Sequence, residues 1–150
     1  MRAKAKEIAL EYHKRGYNCS QSVLAALSKY YKLSEDKVLA IAAGFGGGLR
    51  SGEVCGAISG SVMAAGLAFP SVDPADKAAK RDIATISNKC VAAAKCQFGC
   101  VRCLELKKNG VSCEEMIGFM AESAEKLIIE NKKIRRKQRW KSMKNSLHAD

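Results

Sequence analysis

The sequence predicts an all-α fold, a single-domain bundle of about six or seven helices. Proline occurs only at Pro70 and Pro74, while the helix-favouring residues Ala, Leu, Lys and Glu are abundant. Serine, asparagine and aspartate recur at positions typical of helix starts, and glycine recurs at positions typical of helix ends. No apolar–polar alternation is long enough for a strand.

Four helices are predicted in the N-terminal half. Gly16 ends the first, Asn18 opens the second, Ser34 opens the third and Pro70 ends the fourth. A glycine-rich run at 44–48 separates the third helix from the fourth, and its backbone is expected to pass close to Cys55. The predicted ranges are 3–15, 19–31, 35–43 and 52–69.

Three helices are predicted in the C-terminal half. Asp73 followed by Pro74 is typical of a helix start, because aspartate caps and proline suits the first helical position. Gly99 is expected to end that helix, and Ser112 to open the last one. The predicted ranges are 75–98, 101–108 and 113–144.

The overall composition is that of a globular chain. Its 150 residues, of which 47% are hydrophobic, suit one cysteine-rich helical domain over 1–150. No segment approaches the roughly 20 apolar residues of a membrane span. The N-terminus has no apolar signal region. We therefore expect a cytoplasmic protein without a membrane partner.

The positive charge is concentrated near the C-terminus. The formal net charge is +11, and from 126 onward only Glu130 and Asp150 oppose a run of lysines and arginines. This run predicts a basic helix extension from about residue 128. Such a cluster can bind nucleic acid or an acidic partner, but it is also typical of a solvated helix end. Trp140 gives little stacking capacity and no nucleic-acid-binding motif is visible, so nucleic-acid binding is the weakest functional alternative.

Cysteines are the most informative residues. In a reducing cytosol, a set of seven is more often metal-binding or catalytic than a disulfide framework, and the odd count also argues against complete pairing. The alternative is that some of them are small core residues. They lie at Cys19, Cys55, Cys90, Cys96, Cys100, Cys103 and Cys113.

Four cysteines are predicted to lie at helix starts. The stretches 18–21 and 112–115 have the form of capping boxes, which places Cys19 and Cys113 at the first helical position. Cys55 and Cys103 fall in or near the first turns of their helices. Helix N-termini offer unpaired N–H groups and positive partial charge, which stabilise a thiolate. Thiolate is the form that attacks disulfides and binds metals.

The other cysteine patterns are weaker. Cys96, Cys100 and Cys103 have the spacing of the radical S-adenosylmethionine cluster motif, but this chain is too short and too helical for that α/β barrel. The pair Cys100 and Cys103 is not followed by the histidine of a haem attachment site, so no haem is expected. Cys96 and Cys100 are additional candidate metal ligands, and Cys90 is a candidate core residue or resolving thiol.

The remaining polar residues give no catalytic set. His13 lies on a lysine-rich helix face and is expected to be solvated. The glutamates are expected at helix surfaces and caps, and no Ser-His-Asp arrangement is present. Whether the protein is an enzyme stays open.

The chain resembles the C_GCAxxG_C_C family of redox-active proteins. The resemblance rests on the stretches 18–23, 55–60 and 98–99 with the later cysteines, and it extends from about residue 5 to about 127. It implies that the family's four cysteines correspond to Cys19, Cys55, Cys103 and Cys113. A related domain occurs beside haem domains in split-Soret cytochromes, where an iron–sulfur cluster is associated, so the resemblance also implies a cluster.

Three functional hypotheses follow. The leading one is a redox or electron-transfer protein with an unknown redox partner. Its four cysteines either hold an iron–sulfur cluster or include a reversible disulfide, with Cys113 as the expected nucleophile. The second is a structural zinc protein with an all-cysteine site, and the third is the basic nucleic-acid-binding protein. The sequence does not decide whether the thiols meet within one chain or across a homodimer.

Overall fold

The computed structural model describes residues 4–149, and over this range the chain forms seven α-helices. No strand occurs among these residues, only one isolated β-bridge between Val54 and Arg102. The all-α prediction of a bundle with about six or seven helices is confirmed; the predicted first position at Ala3 lies outside the described residues. The helices are α1 Ala5–Lys14, α2 Cys19–Ala26, α3 Glu35–Ala42, α4 Gly56–Ala68, α5 Lys77–Phe98, α6 Cys103–Lys108 and α7 Cys113–Leu147.

Helices α2 and α4 lie at the centre of the bundle and pack on each other. Helix α2 also contacts α1, α3 and α7, and α4 also contacts α5 and α7. The small residues along α4 allow this close packing, since a β-carbon on Gly60 would lie only 2.8 Å from the carbonyl oxygen of Ser20. The core around them is apolar, with Leu24, Ile58, Ile117 and Met120 almost fully buried.

Several helix boundaries differ from the predictions. Helix α5 begins at Lys77 because the side chain of Asp76, rather than Asp73, caps it by accepting from the N–H of Ala79 at 2.9 Å. Asp73 instead stabilises the preceding turn by accepting from the N–H of Ala75. Helix α4 begins at Gly56 rather than near Gly52, because the turn 48–52 contains left-handed backbone that a helix cannot continue.

One glutamate predicted at the surface is buried. Glu125 of α7 is only 9% exposed, and its Oε2 accepts from the N–H of Ala5 at 3.0 Å. Its Oε1 accepts from the Tyr30 hydroxyl and from Lys29 Nζ, each at 2.7 Å. The carboxylate therefore joins the start of α1 and the 3-10 turn Ser28–Tyr30, which follows α2, to α7.

Helix α7 has an inner and an outer half. Its last buried residue is Asn131, and from Arg136 to Ala149 every residue is exposed. The outer half continues three residues beyond the predicted end, to Leu147. No helix among residues 4–149 is both long and apolar enough to span a bilayer.

Candidate functional site

The N-termini of α2, α4, α6 and α7 meet around one cavity of about 170 Å³. Cys19, Cys55, Cys103 and Cys113 all line it. Three of them are the first residue of their helix, and Cys55 is the N-cap residue of α4. The structure thus brings together the four cysteines predicted at helix starts, while their chemical role stays a prediction.

Cys19 is positioned by the capping box at the start of α2. The Oδ1 of Asn18 accepts from the Gln21 N–H, and the Oε1 of Gln21 accepts from the Asn18 N–H, both at 3.0 Å. Asn18 also donates from Nδ2 to the carbonyl oxygen of Ala43 at 2.9 Å. The same side chain therefore starts α2 and holds it against the glycine-rich segment after α3.

Cys55 and Cys103 are held together by a short antiparallel clamp. The N–H of Cys55 donates to the carbonyl of Val101 at 2.9 Å, and the N–H of Cys103 donates to the carbonyl of Glu53 at 2.7 Å. The Arg102 guanidinium donates two hydrogen bonds of 3.1 Å to the Glu53 carboxylate. These contacts fix the starts of α4 and α6 side by side.

Cys113 reaches the cavity through the short connection between α6 and α7. Gly110 has φ +77°, and the N–H of Val111 donates to the carbonyl of Leu106 at 2.9 Å. The predicted capping box is present, with Ser112 Oγ accepting from the Glu115 N–H at 3.0 Å. The reversal of chain direction places the first residue of α7 near the first residue of α6.

The Cys19 and Cys55 thiols lie beside each other in the cavity and titrate as an interacting pair. Interaction with the Cys55 thiol, assisted by the N–H groups of Gly47, Ser20 and Gly56, outweighs burial and lowers the pKa of Cys19 to about 6. The same interaction, together with burial, raises the pKa of Cys55. We assign the thiolate to Cys19 because it lies at the first position of an eight-residue helix and receives these backbone donors.

Gly56 makes the close approach of the two thiols possible. A β-carbon on Gly56 would lie 2.5 Å from Cys19 Sγ and 2.8 Å from the carbonyl oxygen of Phe45. Both distances are shorter than any normal contact, so only glycine fits between the start of α4 and the start of α2. This explains physically the glycine that follows Cys55.

Cys113 differs electrostatically from Cys19. The residue as a whole is exposed, but its thiol faces the cavity, and burial there raises its pKa. Negative charge on Cys19 acts in the same direction, whereas Lys107 acts against it. These effects favour Cys19, not Cys113, as the nucleophile of the metal-free protein.

Two cavity residues were missed by the sequence analysis. His13, predicted to be solvated, is half-buried and lines the cavity, as does Lys107. The ring Nδ1 of His13 lies 3.1 Å from the carbonyl oxygen of Tyr17; because a carbonyl only accepts, Nδ1 carries the proton. Neither residue has a sequence signal, since both reach the cavity through tertiary packing. Leu106, Val111 and Met116 form its apolar wall.

The other three cysteines do not line the cavity. Cys90 is buried within α5, where burial raises its pKa to about 11, as expected of a core residue. Cys96 is exposed, and Cys100 is half-buried near Phe98 and Asn109. Gly99, with φ +79°, separates Cys96 from Cys100 as predicted. All seven cysteines are free thiols.

The four cavity cysteines are a donor set that would fit a metal centre. Four cysteines are the usual ligands of iron–sulfur clusters. Within residues 4–149, no three His, Cys, Asp or Glu side chains are grouped closely enough to hold one metal ion. Both a tetrahedral zinc site and an iron–sulfur cluster take four cysteine ligands, so the chemistry of the donors admits either group.

The fold and the site are those of a helical protein in which four helix-terminal cysteines line one cavity. A family model described as "Putative redox-active protein (C_GCAxxG_C_C)" matches residues 17–127. The chain therefore belongs to this redox-active family, as the sequence resemblance predicts. Comparisons with curated proteins and with solved structures give no match.

Proposed function

We propose that this protein is an electron-transfer protein whose four cavity cysteines hold an iron–sulfur cluster. The observation that carries the proposal is the meeting of four helix N-termini, each bearing one of these cysteines, around a single cavity. The ligands would be Cys19, Cys55, Cys103 and Cys113. A bound cluster would supply one-electron transfer at a potential set by its surroundings.

The surrounding residues suit a negatively charged centre. Lys107 brings a positive charge to the cavity, and the four helix N-termini add positive partial charge. Leu106, Val111 and Met116 limit access of water to the sulfurs. All four donors are cysteines, the usual ligand set of an iron–sulfur cluster, and this favours a cluster as the first candidate over the zinc alternative.

Spectroscopy and metal analysis of protein purified without oxygen test this proposal. We expect brown protein with visible absorption that a reductant bleaches, and iron and acid-labile sulfide in equal amounts. Serine substitution of each cavity cysteine in turn should lower the iron content or shift the spectrum. Cys96→Ser is the matched control, because Cys96 is exposed and lies outside the cavity.

Three results would contradict the cluster proposal. One is protein that stays colourless and iron-free after anaerobic reconstitution with iron and sulfide. Another is stoichiometric zinc that the four substitutions remove, which would support the structural site. The third is an equal loss of iron in Cys96→Ser and in the cavity variants, which would show non-specific binding.

The closeness of the Cys19 and Cys55 thiols supports a second candidate function, a dithiol–disulfide exchange protein. In this reaction the Cys19 thiolate attacks a disulfide of a partner and forms a mixed disulfide, releasing one partner thiolate. Cys55 transfers its proton to that thiolate and then attacks Cys19, which releases the second partner sulfur as a thiolate. One protein disulfide, one partner thiol and one partner thiolate result, and the thiolate takes a proton from water. The lowered pKa of Cys19 supplies the nucleophile for the first step.

Peptide mapping after incubation with oxidised glutathione tests this second candidate. We expect metal-free protein to lose two hydrogen masses, with a bond between Cys19 and Cys55. Cys55→Ser should stop at a glutathione adduct on Cys19. Oxidation that pairs other cysteines, or an adduct mainly on Cys96, would contradict this mechanism.

A further inference from the structure

The outer half of α7, residues 132–147, is a charged surface that the proposed redox function does not use. Eight cations and no acid occur between 132 and 144. The only ion pair formed by this stretch, within the described residues, is the one between Arg135 and Asp82. The cations are Lys132, Lys133, Arg135, Arg136, Lys137, Arg139, Lys141 and Lys144.

At the start of the outer half, near Phe69, four cations lie close together and carry more positive charge than the neighbouring groups neutralise. Lys132, Arg135, Arg136 and Arg139 line a cavity of about 300 Å³ beside Phe69, at the C-terminal end of α4. Cations there complement the negative end of the α4 dipole, but that end carries only about half a charge. Asp82 neutralises the positive charge of Arg135. The Nη2 of Arg135 is nevertheless buried without an acceptor among the described residues.

The geometry of the outer half limits which anion it suits. At 100° per residue, its eight cations cover roughly 240° of the helix circumference. A flat acidic protein surface could meet only one side of such a helix. The major groove of duplex DNA admits a whole α-helix and presents phosphates on both sides of it. Residues 136–147 are all exposed and extend about 18 Å, enough to enter a groove. The inner side of this stretch lies beside Phe69 and Ala78.

We propose that the outer half of α7 binds the phosphate backbone of duplex DNA, with the helix lying in the major groove. Lys132, Arg136 and Arg139 contact one strand, and the more distal cations contact the opposite strand, while Arg135 stays paired with Asp82. The composition alone did not favour a nucleic acid partner, because it could not show that every residue of this helix is exposed from 136 onward. The inference is independent of the cysteine site.

Fluorescence anisotropy with a labelled duplex of about 20 base pairs tests the proposal on the full-length protein. We expect binding that weakens as salt rises, since each neutralised phosphate adds about −0.9 to the slope of log K against log salt. The variant Arg136→Gln/Arg139→Gln should bind about tenfold or more weakly, with a slope smaller by about 2. Both residues are exposed, so helicity by circular dichroism should be unchanged.

The matched control removes the same charge elsewhere. Lys32→Gln/Lys37→Gln lowers the net charge equally at two exposed positions around α3 and should leave binding within about twofold. The proposal is overturned by absence of binding at about 50 mM salt or by equal losses in both double variants. Displacement of the duplex by poly-aspartate, charge for charge, would also overturn it and would point to an acidic protein partner.

Discussion

Replacing Gly56 by alanine should break the close contact between the starts of α2 and α4. The added carbon would lie 2.5 Å from Cys19 Sγ and 2.8 Å from the carbonyl oxygen of Phe45. Normal contacts between such atoms are about 3.5–4.0 Å, so a shift of about 1 Å is required. Because Phe45 presents backbone and Cys19 is fixed by its capping box, we expect α4 to move away from α2.

This movement should change both thiol chemistry and stability. Separated from Cys55, Cys19 loses the interaction that mainly lowers its pKa, and this pKa should return from about 6 towards the free-thiol value of about 8.5. At pH 7 the thiolate fraction would fall from about 90% to about 3%, a loss of roughly thirtyfold. Overpacking should also cost about 1–3 kcal/mol of unfolding free energy.

The assay is alkylation of reduced, metal-free protein from pH 5 to pH 9, with the Cys19 peptide quantified by mass spectrometry. Thermal denaturation supplies the stability. Gly66→Ala is the matched control, because a β-carbon there meets no atom within 4 Å in the same helix. It should keep the Cys19 pKa and stabilise the protein by about 0.4–1 kcal/mol. A Gly56→Ala variant whose Cys19 still titrates near pH 6 would refute the reasoning.

Three further predictions concern single side chains. Cys55→Ala should raise the pKa of Cys19 in the alkylation assay more than Cys55→Ser does, because serine keeps a donor hydroxyl; equal effects would contradict a hydrogen bond between the two side chains. Asn18→Ala should cost about 1–2 kcal/mol in chemical denaturation by removing the α2 cap, whereas Asn18→Asp keeps the acceptor for Gln21 and should cost less. Burial alone would raise the pKa of Glu125, but its hydrogen bonds outweigh burial and lower this pKa in the folded protein. The stabilisation by Glu125 is therefore complete above the pKa of the unfolded chain and is lost as pH falls through the lower pKa of the folded protein. Glu125→Gln should therefore cost about 1–3 kcal/mol at pH 7 and flatten the melting temperature between pH 7 and pH 3; a parallel profile would contradict this.

The sequence predicts the features of the site that depend on local chemistry. The capping boxes at Asn18 and Ser112 are set by residues three positions apart, and both are present. Gly99 ends α5 because its left-handed backbone suits glycine. These local signals were sufficient to place Cys19 and Cys113 at their exact helical positions.

Features that depend on distant parts of the chain could not be predicted. The pairing of Cys19 with Cys55 requires α2 to pack on α4, and the position of His13 in the cavity wall requires α1 to pack beside them. At the start of α5 the sequence offers two acceptable caps, and the chain uses Asp76 rather than Asp73. The electrostatic contrast between Cys19 and Cys113 arises from burial and neighbours, although both occupy the same helical position.

The clamp between 53–55 and 101–103 also determines which sequence changes the site can tolerate. Its two hydrogen bonds join backbone atoms, so the side chains of Val54 and Val101 can be replaced by others without moving the sulfurs. Cys55 and Cys103 are themselves donors in the clamp, so an inserted or deleted residue inside either stretch would displace a sulfur by one register step. Between the two stretches of the clamp, α4 and α5 form a helical hairpin. Its connecting loop, 69–76, is more than ten residues away in sequence from either stretch. Relatives of this protein should therefore vary in length at that loop while keeping the spacing of the clamp constant.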